Sequence, residues 1–370
     1  MSAGRDILVV GGGPWGLAIA WRAARRGATV GLIDDGGLPA AHAAAGMLGP
    51  WSEALAHEEA DFVLHRAALD AWPAFVDDLA ADGGVPVLYE RCGTLFVAAR
   101  PDEPAEVRRR ADLLAGLGEV ARWSTGSTLR ASEGALGPRV AGGVELADEA
   151  QVDPRRVLKA LRSCAAQRGV ERIQGRAIGL HDEGGTIRGV ALDDGRVLRS
   201  GRVVLAAGWA AGLVDHAVPL RPVRGQTLHL RWAEGEIRPL ERVVRTPSVY
   251  VVPRSDHRIV VGATAEEGRD LTARSDGVHR LLDDAFEVLP ALRESVFDEV
   301  AVGVRPATPD GRPAVGPGHR DGLVWAVGGY RHGMLLTPWA ADAALDQIAG
   351  SAAAEHCDPR RFAAREPACA

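Results

Sequence analysis

Three glycines just inside the chain have the spacing of a phosphate cradle. Gly11, Gly13 and Gly16 form G-x-G-x-x-G between an apolar, β-branched run at 6–10 and an Ala-rich stretch from Leu17 to Arg26 with apolar spacing near 3.6. In that setting the first glycine permits a tight turn and the second lets the backbone approach a pyrophosphate. The third lets helix pack closely on strand. A helix beginning there offers unpaired N–H groups and partial positive charge to phosphate. Pro14 suits its first turn, where a missing N–H costs little, and Gly27 can cap its end. A second apolar run, Thr29 to Ile33, leads to Asp34 and Asp35, where an acid can accept hydrogen bonds from a ribose diol. Strand, turn, helix, strand and acid in that order predict a dinucleotide site. The motif alone does not choose FAD from NAD, since both present ADP.

The elements that must position this cradle alternate in kind along the chain. Asp153-Pro154 opens a predicted helix through Gln167, Arg202 to Gly208 reads as another buried strand, and Leu323 to Gly328 as a last one before a helix towards Gly350. From Val85 to Ala99, and again from Leu220 to Ala263, short alternating runs predict antiparallel strands with one wetter face. The expected class is α/β: a Rossmann-like nucleotide domain (1–84, 150–219 and 300–370) interleaved with an α+β domain on a mixed or antiparallel sheet (85–149 and 220–299). The last fifteen residues read as polar and frayed.

With 370 residues, 46% hydrophobic and 25% charged, the chain has ample material for a core, and a net charge of −6 does not suggest nucleic acid or an anionic membrane as partner. Cys92, Cys164, Cys357 and Cys369 show neither metal spacing nor a disulfide framework, so no metal is expected. The N-terminal Met-Ser-Ala-Gly-Arg-Asp lacks the pattern of a leader, and no run approaches the roughly 20 apolar residues of a membrane helix. A soluble, cytoplasmic protein is expected.

Further motifs bring a family into view. These are Ala43-Ala-Ala-Gly46-Met47-Leu48, Arg221-Pro-Val-Arg-Gly-Gln226, Ser248-Val-Tyr250-Val-Val-Pro253, Val261-Gly-Ala-Thr264, Arg305-Pro-Ala-Thr-Pro-Asp-Gly-Arg-Pro313 and Gly328-Gly-Tyr-Arg331-His-Gly333. Together, and in this order over nearly the whole chain, they resemble the glycine oxidase branch of the D-amino-acid oxidase family. The resemblance implies noncovalent FAD and a substrate sheet over the flavin. It implies oxidation of a small amino acid to the imine, with hydride passing to flavin N5 and O2 reduced to hydrogen peroxide. It further implies a product serving thiamine formation, and a homo-oligomer.

By the same resemblance Arg331 matches the arginine that pairs with the substrate carboxylate, Tyr250 a tyrosine that hydrogen-bonds it, and Arg305 a second arginine near the pocket. A planar guanidinium suits this task because it binds a carboxylate in two places and fixes its direction. The expected FAD contacts are Gly11, Gly13, Pro14, Trp15, Gly16, Asp34, Asp35, His42, Ala45, Gly46, Met47, Ala207, Gly208, Gly329, Tyr330, Arg331, Gly333, Met334 and Leu335. Gly333 to Leu336 is expected to begin the last helix, its positive end facing the flavin. Plainer readings stand beside these: Arg331 as a surface arginine, Arg305 as an interdomain ion pair, Tyr250 as a core aromatic, Met47 as packing. No side-chain base is required if the amine arrives neutral.

The chain departs from the family pattern at three places. Ala41-His42 stands where Ser or Thr is usual, Gly329 where His is usual, and Ala265 where Met is common; the last widens the expected pocket. A D-amino-acid or sarcosine-type enzyme, an NAD-dependent dehydrogenase and a flavin-holding protein without turnover are the rival readings.

Overall fold

The structure, a computed structural model, describes residues 4–53, 59–83, 85–233 and 240–363. Cys369 and the first three residues lie outside these. Strand Arg5–Val10 runs parallel to Val30–Asp34 on one side and to Val197–Leu205 on the other. Glu171–Gln174 and Leu323–Val327 extend the parallel set outward, and Ala314–Pro317 closes one edge antiparallel. An antiparallel hairpin, Ala177–Glu183 and Thr186–Leu192, attaches to Val197–Leu205. The central strands bury both faces, which is why they read as continuous apolar runs rather than alternating ones.

Helices Pro14–Arg25, Trp72–Gly83, Pro154–Gln167 and Thr337–Ile348 cover one face of this sheet around Trp21, Trp72 and Phe75. The hairpin lies on the other, its Ile187 and Val190 in one buried cluster with Trp325 of the sheet. Each fully buried Leu or Phe in such a layer contributes roughly 1.5–3 kcal/mol. The Trp21 indole keeps its one polar atom satisfied by donating to Asp82 at 2.8 Å. Asp153 caps its helix as its sequence predicts, accepting from the N–H groups of Arg155 and Arg156 at 2.9 and 3.2 Å.

The second sheet runs Glu266–Glu267, Arg221–Arg231, Arg258–Gly262, Tyr250–Pro253, Val243–Arg245, Thr94–Ala98, Gly142–Leu146, Trp123–Thr125, with Val296–Ala307 along the other edge of Arg221–Arg231. Its pairings are antiparallel except that of Val243–Arg245 with Thr94–Ala98. The fold is thus mixed α/β, a parallel sheet beside a largely antiparallel one. Residue 300, where the sequence reading divides the chain, falls inside Val296–Ala307, which belongs to the second sheet along its whole length.

Three local expectations change. Of 85–99 only Thr94–Ala98 forms a strand; Leu88 and Gly93 take positive φ (52° and 74°) and break the ladder before it. The last helix begins at Thr337 rather than Gly333, because Pro338 fits only a first turn. Residues 355–363 form two short 3-10 turns that bury Cys357 and Pro359 against Ala314–Pro317 rather than fraying; 364–370 lie outside the described residues.

Candidate active site

The carboxyl ends of the parallel strands open into one cavity of about 670 Å³ that continues under the second sheet. Gly11, Asp34, Ala207 and Gly328 all line it, which is where open α/β sheets place ligands. At Gly11 φ is 116°, and a Cβ there would overlap the Ala206 carbonyl. A Cβ at Gly16 would overlap the Gly11 carbonyl oxygen, so the helix seats on the turn only without a side chain. At Gly13 the nearest atom to a Cβ is Pro39 Cβ, 3.9 Å away. That open space lies directly before the N-terminus of Pro14–Arg25, where a pyrophosphate would need it.

Asp34 accepts from the Gly36 N–H and from Arg172, both at 3.1 Å, and Asp35 accepts from the Gly37 N–H at 2.9 Å. Arg176 and Ala177, which follow Glu171–Gln174, also line this end; no motif in the sequence marks them. The glycine turn, helix end and acid fit the ADP half of a dinucleotide.

The middle of the cavity is made by two loops. Ala45, Gly46 and Met47 line it, and their loop is fastened from outside. The Ala43 carbonyl accepts from Thr227 at 2.9 Å, the Gly46 carbonyl from the Val152 N–H at 2.9 Å, and the Ala45 carbonyl from buried Arg254. Opposite lies the turn after Leu323–Val327. Here Gly328 and Tyr330 take positive φ (81° and 36°), and the Tyr330 N–H donates to the Pro306 carbonyl at 3.1 Å. A Cβ at Gly329 would meet the Trp15 ring at 2.7 Å. The indole occupies the room a side chain would take, which accounts for glycine at this departure from the family pattern. Trp15 also donates to the Gly333 carbonyl at 2.7 Å, and Trp72 to the Leu335 carbonyl at 2.9 Å.

At the far end Tyr250, Arg305 and Arg331 come together with Arg245 and Glu53 on the cavity wall. Tyr250 pairs with Gly262 across the ladder, its ring lying over the glycine where any Cβ would collide with it. The Arg305 guanidinium lies over Gly225 in the same manner and donates to the Thr264 carbonyl at 3.1 Å. It has no carboxylate partner among the described residues. Arg331 donates from Nε to Glu53 at 2.7 Å, and Glu53 also pairs with Arg245.

Burial raises the Tyr250 hydroxyl above its ordinary range although Arg305 pulls the other way, so it stays a donor. Burial alone would raise Glu53, but Arg245 and Arg331 hold it well below the usual carboxylate range. Three guanidiniums against one carboxylate leave this end positive, a setting for an anionic group. His332 also lines the cavity and stacks on His65 with centroids 3.9 Å apart. Burial, then His65, holds it neutral.

Three expected contacts stand off the cavity. Gly16 acts through its closeness to Gly11. His42 ends a 3-10 turn whose carbonyl accepts from Arg155 at 2.9 Å. Leu335 is buried in the core because its turn is not yet helix; no residue of Thr337–Ile348 lines the cavity. Conversely, Glu53 and Arg245 were not legible: neither sits in a motif, and only pairing across 192 residues of chain, as the structure places them, gives them meaning.

Fold and site define a dinucleotide-binding protein whose cavity runs from a nucleotide cradle into a cationic pocket under a second sheet. The chain belongs to the FAD dependent oxidoreductase (DAO) family, whose profile matches residues 6–347, and membership implies FAD in that cradle. It is 36% identical over 353 residues to the bifunctional protein ThiO/ThiG of Nostoc sp., covering 93% of this chain and 52% of that protein. The chain thus spans about half the length of such bifunctional relatives. It is 30% identical over 345 residues to the glycine oxidase of Geobacillus kaustophilus, covering 90% of each. The crystal structure of glycine oxidase from Geobacillus kaustophilus superposes with a TM-score of 0.89 at 27% identity, covering 97% of both chains. Among the described residues no helix is long and apolar enough to cross a membrane.

Proposed function

We propose that this protein is an FAD-dependent oxidase of small amino acids, with glycine as the first substrate, yielding the imine and hydrogen peroxide. The observation that carries this reading is the convergence of Tyr250, Arg305 and Arg331 on the end of the cavity remote from the nucleotide cradle. Bound FAD supplies the hydride acceptor and the route to O2. The chain's own work is orientation: Arg331 and Arg305 take the carboxylate, the Tyr250 hydroxyl donates to it, and the substrate Cα is held at about 3–3.5 Å from its acceptor. No cysteine lines the cavity among the described residues, which leaves a cysteine-linked flavin without a candidate among them. Among the described residues the only carboxylate at this end is Glu53, which is taken up by two arginines; this supports a neutral amine arriving without a side-chain base.

Ala263 and Ala265 line the same end with small side chains, and that favours a second reading, a larger D-amino acid or N-methyl amine as preferred substrate. The resemblance supports a product used in thiamine formation and a homo-oligomeric enzyme. The test is anaerobic bleaching of the yellow protein with glycine, sarcosine, D-alanine, D-proline and larger D-amino acids. Bleaching by glycine, reversed by air with peroxide release, is expected. Bleaching only by larger amines moves the substrate, and none by any of them removes the oxidase reading.

A further inference from the structure

Glu53 has no place in the carboxylate clamp, yet it is 7% exposed and stands between two of the cavity's arginines. One oxygen pairs with the Arg245 terminal nitrogen, the other accepts from Arg331 Nε at 2.7 Å. Using the Nε edge leaves the terminal nitrogens of Arg331 without another hydrogen bond among the described residues, and its side chain is 37% exposed. Those nitrogens are the pair a carboxylate would take in two places. Arg245, fully enclosed, ends strand Val243–Arg245 and pairs across the ladder with Tyr250. The turn carrying Glu53 is fixed in its own right. The buried Glu149 carboxylate accepts from the N–H groups of Trp51 and Ser52 at 2.9 and 2.6 Å, and Arg110 donates to the Ser52 carbonyl at 2.8 Å.

We propose that Glu53 is the positioning residue of the clamp: anchored by Arg245 and by the Glu149-held turn, it fixes the Nε edge of Arg331 so that the other edge faces the substrate carboxylate. This rests on the reading of Arg331 as carboxylate ligand. A long charged side chain held on one edge loses less freedom when it binds on the other. Removing the hold therefore weakens ground state and transition state alike, a loss read in KM rather than kcat.

The test is Glu53→Asp in the holoenzyme, which keeps the charge but falls one methylene short of spanning both arginines. Flavin content is expected to hold. The Kd for acetate, read from perturbation of the flavin spectrum, and the KM for the substrate are each expected to rise about tenfold, with kcat within about threefold. Kd and KM within about twofold of the parent would overturn the proposal. If Glu53→Asp does not retain flavin, Arg245→Lys keeps a cation behind Glu53 without the planar fork. It should raise the acetate Kd in the same sense, and an unchanged Kd again overturns the proposal. Failure of the wider reading is distinct: the parent itself would then show neither bleaching by amines nor a response to acetate.

Discussion

The two ends of the cavity are built in opposite ways. The nucleotide end is made mostly of backbone and of side chains that are missing: Gly11, Gly13 and Gly16, a helix terminus and the acid Asp34 lie within residues 11–35, and Arg176 and Ala177 join them from further along the chain. The substrate end is made of charged and polar side chains delivered from four separate stretches, at 53, 245–250, 305 and 331, on strands of the second sheet and on two turns. A phosphate can be bound by N–H groups that every residue owns, so its site needs only permission for close approach. A carboxylate that must be oriented needs particular side chains with their own supports, and those are found only where the fold brings distant strands together.

The largest effect that could break this contrast is at the nucleotide end. Gly16→Ala should abolish flavin retention, because the added methyl overlaps the Gly11 carbonyl and drives the helix off the turn. A variant purified with full flavin absorbance would mean that the turn is not a cradle. Arg331→Ala should do the reverse, keeping the yellow colour while kcat/KM falls by a hundred- to a thousandfold, on the order of 3–4 kcal/mol for a truncated partner of a buried charge pair. Loss of flavin together with activity would dissolve the distinction between the ends.

The smallest effect is on stability. Behind the substrate end His65 is pushed down to about 4 by burial, and His229, in strand Arg221–Arg231 of the second sheet, is likewise pushed down to about 4 by burial and then by Arg155. Unfolded, both take up a proton near the ordinary value of about 6.5. Between roughly pH 4 and 6.5 the unfolded chain therefore binds more protons, and stability rises with pH over that window and levels off above it. Urea midpoints should fall as pH drops from 6.5 towards 4, and His229→Gln should flatten that slope. A slope unchanged in the variant would show that His229 is not held neutral.

What the sequence made legible follows the same division. The βαβ unit and the Asp153 cap are local and form as their patterns predict. The runs at 227–232 and 257–262 pair antiparallel as expected, but residues 223–230 and 259–262 are buried on both faces where their alternation predicts one wetter face. Tyr250, Arg305 and Arg331 reached the same wall, but through resemblance in separated motifs rather than through anything local to them. Glu53 and Arg245 had no such signal. An acid after Trp51-Ser52 and an arginine ending a three-residue strand are unremarkable until the ion pair is seen. The start of the last helix was misread because the glycines of 328–333 suggest a helix opening, whereas the Trp15 and Trp72 indoles hold that segment as a turn.

Gly225 and Gly262 have a consequence for anyone wishing to redirect this pocket. Each is a bare patch of strand on which a cavity-lining side chain rests, Arg305 on one and Tyr250 on the other. A mutant library that randomises every wall position would spend much of its diversity there on chains whose anchoring groups are thrown into the cavity. Ala263 and Ala265 border the same space, and diversity confined to them would explore the shape of the pocket while leaving both platforms bare.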